Sequence, residues 1–130
     1  MSIELRMLAW AIVLGVLQLL LASTTMTMQR GAKWNASARD ATPAPLTGVA
    51  ARMERAFRNF METFAFFAAA VLAVVWAQRV DAHTALGAQL YFWARVVYIP
   101  LYAAGIPYVR SLVWVLSMVG IVLVLWPLLH

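Results

Sequence analysis

The chain contains no cysteine. Disulfides, thiolate zinc sites and a cysteine nucleophile are excluded together. Charge is almost as scarce. Only 12% of the 130 residues are Asp, Glu, Lys or Arg, where a soluble domain carries about a quarter. Acid is the rarer sign, with five Asp and Glu against ten Lys and Arg. Histidine is limited to His83, at a connection, and His130, so no metal site is expected. What is abundant is apolar surface. Hydrophobic residues make up 65% of the chain and lie in long blocks. That pattern implies an integral membrane protein, a single domain over residues 1–130, built almost entirely of spans. The net charge of +5 does not point to nucleic acid, because the basic residues gather in one loop region. Such clustering is expected of a loop held in the cytoplasm.

The first apolar segment runs from about Leu5 to Met28. Between Met7 and Ala22 it has no charge and one polar residue, Gln18. A signal peptide has an apolar region of roughly 7–15 residues. This one is longer, no small-x-small site follows, and a retained helix is expected. Residues 29–51 form a polar loop punctuated by Gly31, Pro43, Pro45 and Gly48. It has no strand-like alternation and is expected to lie extended over the bundle. Further helices are expected over about 49–78, 85–104 and 108–129, with Pro100 kinking the third. The fold class is therefore all-α, a bundle of four transmembrane helices. Seven Lys and Arg lie on one side (Arg30, Lys33, Arg39, Arg52, Arg55, Arg58, Arg110) and two on the other (Arg6, Arg79). This bias puts loop 29–51 in the cytoplasm and both termini on the opposite side.

The second segment opens on Arg52-Met-Glu-Arg-Ala-Phe-Arg-Asn-Phe-Met-Glu-Thr63. Ionisable groups at membrane depth usually face a bundle interior or a wet cavity. A basic collar meeting lipid headgroups accounts for Arg52 and Glu54 and extends to Arg55. It does not account for Glu62, set among Phe60, Phe64, Phe66 and Phe67. Arg55, Asn59 and Glu62 share one helix face, and so do Arg95, Tyr98 and Tyr102 in the third segment. The short turn at 79–84 makes these two helices antiparallel neighbours. At about 1.5 Å per residue, Glu62 and Arg95 are both roughly 15 Å deep from the cytoplasmic side. The same register pairs Asn59 with Tyr98 and Arg55 with Tyr102. The expectation is a polar funnel closed at its floor by a Glu62–Arg95 ion pair. A pair that merely sets helix register is the plainer reading of those two residues. It leaves the stripe of Arg55, Asn59, Tyr98 and Tyr102 unexplained.

The open end of the stripe is cationic. Arg110 adds a fixed charge in the first turn of the fourth helix, where the helix N-terminus also favours an anion. An anionic, elongated ligand follows, with a cationic end for Glu62. Glutathione meets these conditions, having two carboxylates, an ammonium and a thiol. An anionic lipid headgroup satisfies the electrostatics as well. A thiol reacts as its thiolate. A neighbouring arginine favours that charged form and cannot itself act as a base.

Glu54-Arg55-Ala56-Phe57-Arg58-Asn59-Phe60-Met61-Glu62 resembles the E-R-A-x-x-N-x-x-E motif of the MAPEG family, the membrane-associated proteins in eicosanoid and glutathione metabolism. Ala94-Arg95-Val96-Val97-Tyr98-Ile99-Pro100-Leu101-Tyr102, followed by Arg110-Ser111, resembles that family's later pattern. The likeness extends over the whole chain and suits a short bacterial-type member in the inner membrane. It implies a homotrimer of four-helix subunits with glutathione, as co-substrate, between neighbours. Under that resemblance Arg55, Asn59, Glu62, Tyr98 and Tyr102 contact glutathione, and Arg30 stands for the family's basic residue at the end of the first helix. Arg110, with Ser111 beside it, takes the thiolate-stabilising role. Many members have proline three residues after the glutamate, where this chain has Ala65. The activity implied is transfer of glutathione to a lipophilic electrophile, with peroxidase activity towards lipid hydroperoxides as a second capacity. Two other classes remain in competition: a small transporter or anionic-lipid-binding protein, and a purely structural membrane subunit.

Overall fold

A computed structural model describes residues 1–40 and 43–130. All regular structure there is helical: α1 (Ile3–Arg30), α2 (Ala32–Ala36), α3 (Gly48–Trp76), α4 (Ala82–Ala103) and α5 (Pro107–Leu125), closed by a 3₁₀ turn at Trp126–Leu128. The long helices match the four expected segments to within a few residues. The loop does not match. α1 continues to Arg30 and α2 follows at once, so the connection starts as helix rather than as an extended strap. Trp34 explains the extra turn, because it lies under the guanidinium groups of both Arg30 and Arg39, at 4.9 and 5.2 Å. Loop residues 41–42 lie outside the described residues.

The helix ends follow local chemistry. Ser2 caps α1 by accepting from the Leu5 amide at 3.3 Å. Asp81 and Thr84 form a reciprocal capping box at the start of α4. Gly105, at φ 74°, makes the turn into α5, and Pro107 occupies the first turn, where its missing N–H is harmless. Gln29 reaches across to Thr47, donating to its carbonyl at 2.7 Å and accepting from its amide at 3.1 Å. That double bond fixes where α3 begins relative to the end of α1.

α4 and α5 form the closest pair. Gly87 faces Gly120, and a Cβ on either would lie 2.6 Å from the other's carbonyl oxygen. Backbones approach this closely only through small residues, as membrane helices commonly do. The core gathers in the half away from the loop. Phe67 stacks on Tyr91 at 4.0 Å, with Leu8, Ala11, Val71, Val74, Ala88 and Val124 around them. Outside, the apolar pattern is reversed: Trp10, Leu20, Phe66, Leu72, Trp93 and Leu112 are all exposed. That surface suits hydrocarbon rather than water. α1, α3 and the Pro107–Leu128 segment are long and apolar enough to cross a membrane. α4 is the fourth helix. Its 22 residues are a membrane's width, but Gln89 and Arg95 lower its apolar character.

Candidate functional site

The buried stripe of α3 is Met53, Ala56, Phe60, Thr63, Phe67 and Ala70. Arg52, Arg55 and Asn59 lie along its edge nearest the start of α5. α4 presents Tyr91, Ala94, Arg95 and Tyr98 to the interior, and Tyr102 lies one turn on. The antiparallel register therefore brings Arg55 to Tyr102, and Arg55 Nε donates to the Tyr102 hydroxyl at 3.2 Å.

Tyr102 is the hub. Arg110 lies over its ring at 4.5 Å, and the Tyr98 ring meets its edge at 5.5 Å. Two adjoining clefts share Tyr102 and Arg110. One, about 270 Å³, is lined by Asn59, Tyr98, Tyr102, Arg110, Ser111 and Trp114. The other, about 200 Å³, is lined by Arg52, Arg55, Tyr102, Gly105, Pro107 and Arg110. Together they fall in the roughly 300–1,000 Å³ range of small-molecule sites. Among the described residues three guanidinium groups face this space and no carboxylate lines it. Tyr102 tolerates two of them by offering its hydroxyl oxygen to one and its π-face to the other. The Asn59 side-chain oxygen is buried here without a partner. The arrangement can bind an anion, accept from a donor at Asn59, and stabilise charge developing beside Arg110.

Of the residues expected at the site, Arg55, Asn59, Tyr98, Tyr102, Arg110 and Ser111 come together. Ser111 lines the cleft while donating to the Pro107 carbonyl at 3.2 Å. Arg30 does not join them. It donates to the Ala44 carbonyl at 3.1 Å and stacks on Trp34 within the loop region.

The expected Glu62–Arg95 ion pair does not form within the chain. Among the described residues the one ion pair is Arg58–Glu54, at 2.8 Å on the surface. Glu62 is exposed, whereas Arg95 is 1% exposed. Equal depth is not equal direction. At the helical repeat of about 100° per residue, Glu62 points roughly 20° from Arg55, on the exposed flank of the α3–α4 seam, and roughly 100° from Thr63, which faces Tyr91, whereas Arg95 is buried within the seam. Arg95 lies instead against Tyr98, at 4.2 Å, and Phe60, at 5.7 Å. Below it, Thr63 and Tyr91 share a hydrogen bond at 3.0 Å, which closes the polar stripe.

Sequence reasoning passed over two residues. Arg52, assigned to headgroups, donates to the Ala103 carbonyl at 2.8 Å and lines the outer cleft. Its place one turn before Arg55 on the same edge was the available signal. Trp114 lines the inner cleft. It stands one turn beyond Arg110 and Ser111, and that spacing was legible too.

A model of the MAPEG family matches residues 7–130, nearly the whole chain. The chain belongs to the MAPEG family. This MAPEG protein is accordingly an integral membrane protein, of a family that includes glutathione transferases, glutathione peroxidases and related membrane proteins. No curated protein and no solved structure matches it significantly.

Proposed function

We propose that this MAPEG protein is a membrane-bound glutathione transferase, acting on a lipophilic electrophile and with capacity as a peroxidase. The observation that carries this reading is the convergence of Arg55, Asn59, Tyr98, Tyr102, Arg110 and Ser111 on one polar cleft at the end of an otherwise apolar bundle. Arg55, with Arg52 beside it, holds a glutathione carboxylate. Asn59 offers its unpartnered oxygen to a ligand N–H, the part first expected of Glu62. Arg110 faces the sulfur. A guanidinium at a helix N-terminus favours the thiolate over the thiol without exchanging a proton. The thiolate forms the carbon–sulfur bond as the electrophile's leaving group departs. The lipophilic partner arrives through the membrane, where it is concentrated.

In this reading all four long helices span the bilayer, α4 with Leu86, Trp93 and Val97 towards lipid and Arg95 turned inward. Loop 29–51 is cytoplasmic and both termini lie opposite, in a bacterial inner membrane. The subunits form a homotrimer. Glu62, exposed on α3, then faces a neighbour, and Arg30 completes the site only if the loop rearranges.

A second reading draws on the same observation. Three guanidinium groups without a facing carboxylate also suit an anionic lipid headgroup, in a transporter or lipid-binding protein without catalysis. The deciding experiment uses detergent-purified protein titrated with glutathione by calorimetry, with thiolate absorbance followed in parallel. Saturable binding with a rise in thiolate absorbance at neutral pH is the expected result. Absence of binding at millimolar glutathione removes the transferase reading and leaves the headgroup one.

A further inference from the structure

We propose that Arg95 is a receptor for a ligand carboxylate, reached from the inner cleft by displacement of the Tyr98 ring. The Arg95 side chain is buried, and none of its three nitrogens, Nε, Nη1 and Nη2, has a hydrogen-bond partner. Among the described residues its charge is met by aromatic faces, Tyr98 at 4.2 Å and Phe60 at 5.7 Å. Such contacts offset part of the desolvation of a buried cation and leave its donors unsatisfied.

No acid of this chain balances it. The sequence has five acidic residues, and each is placed elsewhere. Glu4 accepts from the Thr84 hydroxyl at the far end of the bundle, at 3.1 Å. Asp81 caps α4, Glu54 pairs with Arg58, and Asp40 is exposed in the loop. Glu62 is exposed and forms no ion pair with Arg95. The counter-charge for Arg95 therefore comes from outside the chain.

The inner cleft is the nearest way in. Tyr98 lines its wall and is also the ring on which Arg95 lies, so one side chain touches both the guanidinium and the open space. Asn59, on the same wall, carries an unpartnered buried oxygen. A carboxylate matches the guanidinium fork with two parallel hydrogen bonds. It comes either from glutathione, which rests on the transferase reading above, or from the acid head of a lipophilic, fatty-acid-like ligand. The recognition chemistry is the same.

The test uses the full chain purified in detergent, as wild type, Arg95→Gln and Arg95→Lys. Glutathione and oleate are titrated, with glutathione diethyl ester and oleyl alcohol as uncharged-end controls, and melting is followed with and without each. Wild type is expected to prefer at least one acid over its control. Arg95→Gln is expected to weaken that acid by about 10–100-fold, the loss of one charge-assisted contact. Its ligand-free melting is expected to be no lower than wild type, since no partner is lost, and Arg95→Lys is expected to recover part of the affinity. Binding of oleate alone supports the Arg95 site while removing the transferase reading. Three results overturn the proposal. They are unchanged binding in Arg95→Gln, no preference for either acid in wild type, and a ligand-free loss of fold or melting temperature in Arg95→Gln. If Glu62→Gln reproduces that last loss and the double variant adds nothing, the balancing anion is Glu62 of a second copy.

Discussion

Arg110 lies 4.5 Å from the centre of the Tyr102 ring, so the first turn of α5 is tied to the last turn of α4 by a cation on an aromatic face. The same tyrosine takes the Arg55 Nε at its hydroxyl. One side chain thus spaces two like charges and aims both at the same cleft. Most of the site's testable behaviour follows from that division of labour.

Arg110 and Arg55 should separate in kinetics. Arg110→Ala should raise the pKa of the bound thiol towards the free value near 8.5. The sign follows from charge: removing a cation disfavours the thiolate, so activity below that pKa falls and recovers as pH rises. Turnover with an aryl halide should drop while glutathione affinity changes little. Arg55→Ala should weaken affinity and leave the thiol pKa in place, because a carboxylate clamp holds ground and transition states alike. Thiolate absorbance against pH, with affinity by calorimetry, checks both. An unmoved thiol pKa in Arg110→Ala would remove the activating group.

Tyr102 should show two graded losses. Tyr102→Phe removes the bond from Arg55 and keeps the ring under Arg110. It should cost about 1 kcal/mol, roughly fivefold in glutathione Kd, with the thiol pKa unmoved. Tyr102→Leu also frees Arg110 and should raise the thiol pKa. Equal pH profiles for the two variants would show that the ring does not position Arg110.

Gly120 should be intolerant of a methyl group. A Cβ there would meet the Gly87 carbonyl at 2.6 Å and the Tyr91 amide at 2.8 Å, both backbone atoms that cannot turn aside. Gly120→Ala should destabilise by about 1–3 kcal/mol. Val119→Ala, on the neighbouring exposed position, should change stability by less than about 0.5 kcal/mol. Thermal melting in detergent compares them, and equal melting temperatures would show that α4 and α5 do not pack through these glycines.

Topology has a direct check, since the chain has no cysteine of its own. Single cysteines replacing Ser37 and His130 should react with an impermeant thiol reagent from opposite sides of the membrane. Reaction from one side only would break the four-span reading, and with it the shared cytoplasmic end of Arg55 and Arg110.

What the sequence determined by itself is whatever depends on rise along a helix. Apolar run length set the number and extent of the long helices. The spacing of Arg55 and Asn59 and of Tyr98 and Tyr102 put each pair on one face, and the short turn before α4 set their level. Tertiary structure decided direction around the helix axis. Packing of Phe60, Thr63 and Phe67 against α4 leaves Arg55 and Glu62 together on the flank of the α3–α4 seam, where Arg55 reaches Tyr102 and Glu62 forms no ion pair with the buried Arg95. Arg95 is left among Tyr98 and Phe60 rather than in an ion pair. The same kind of choice took Arg30 into the loop with Trp34 and brought Arg52 to the carbonyl of Ala103. A depth count is one-dimensional and follows from residue number. A rotation is set by which side chains fill the space between helices, and only the assembled bundle specifies that.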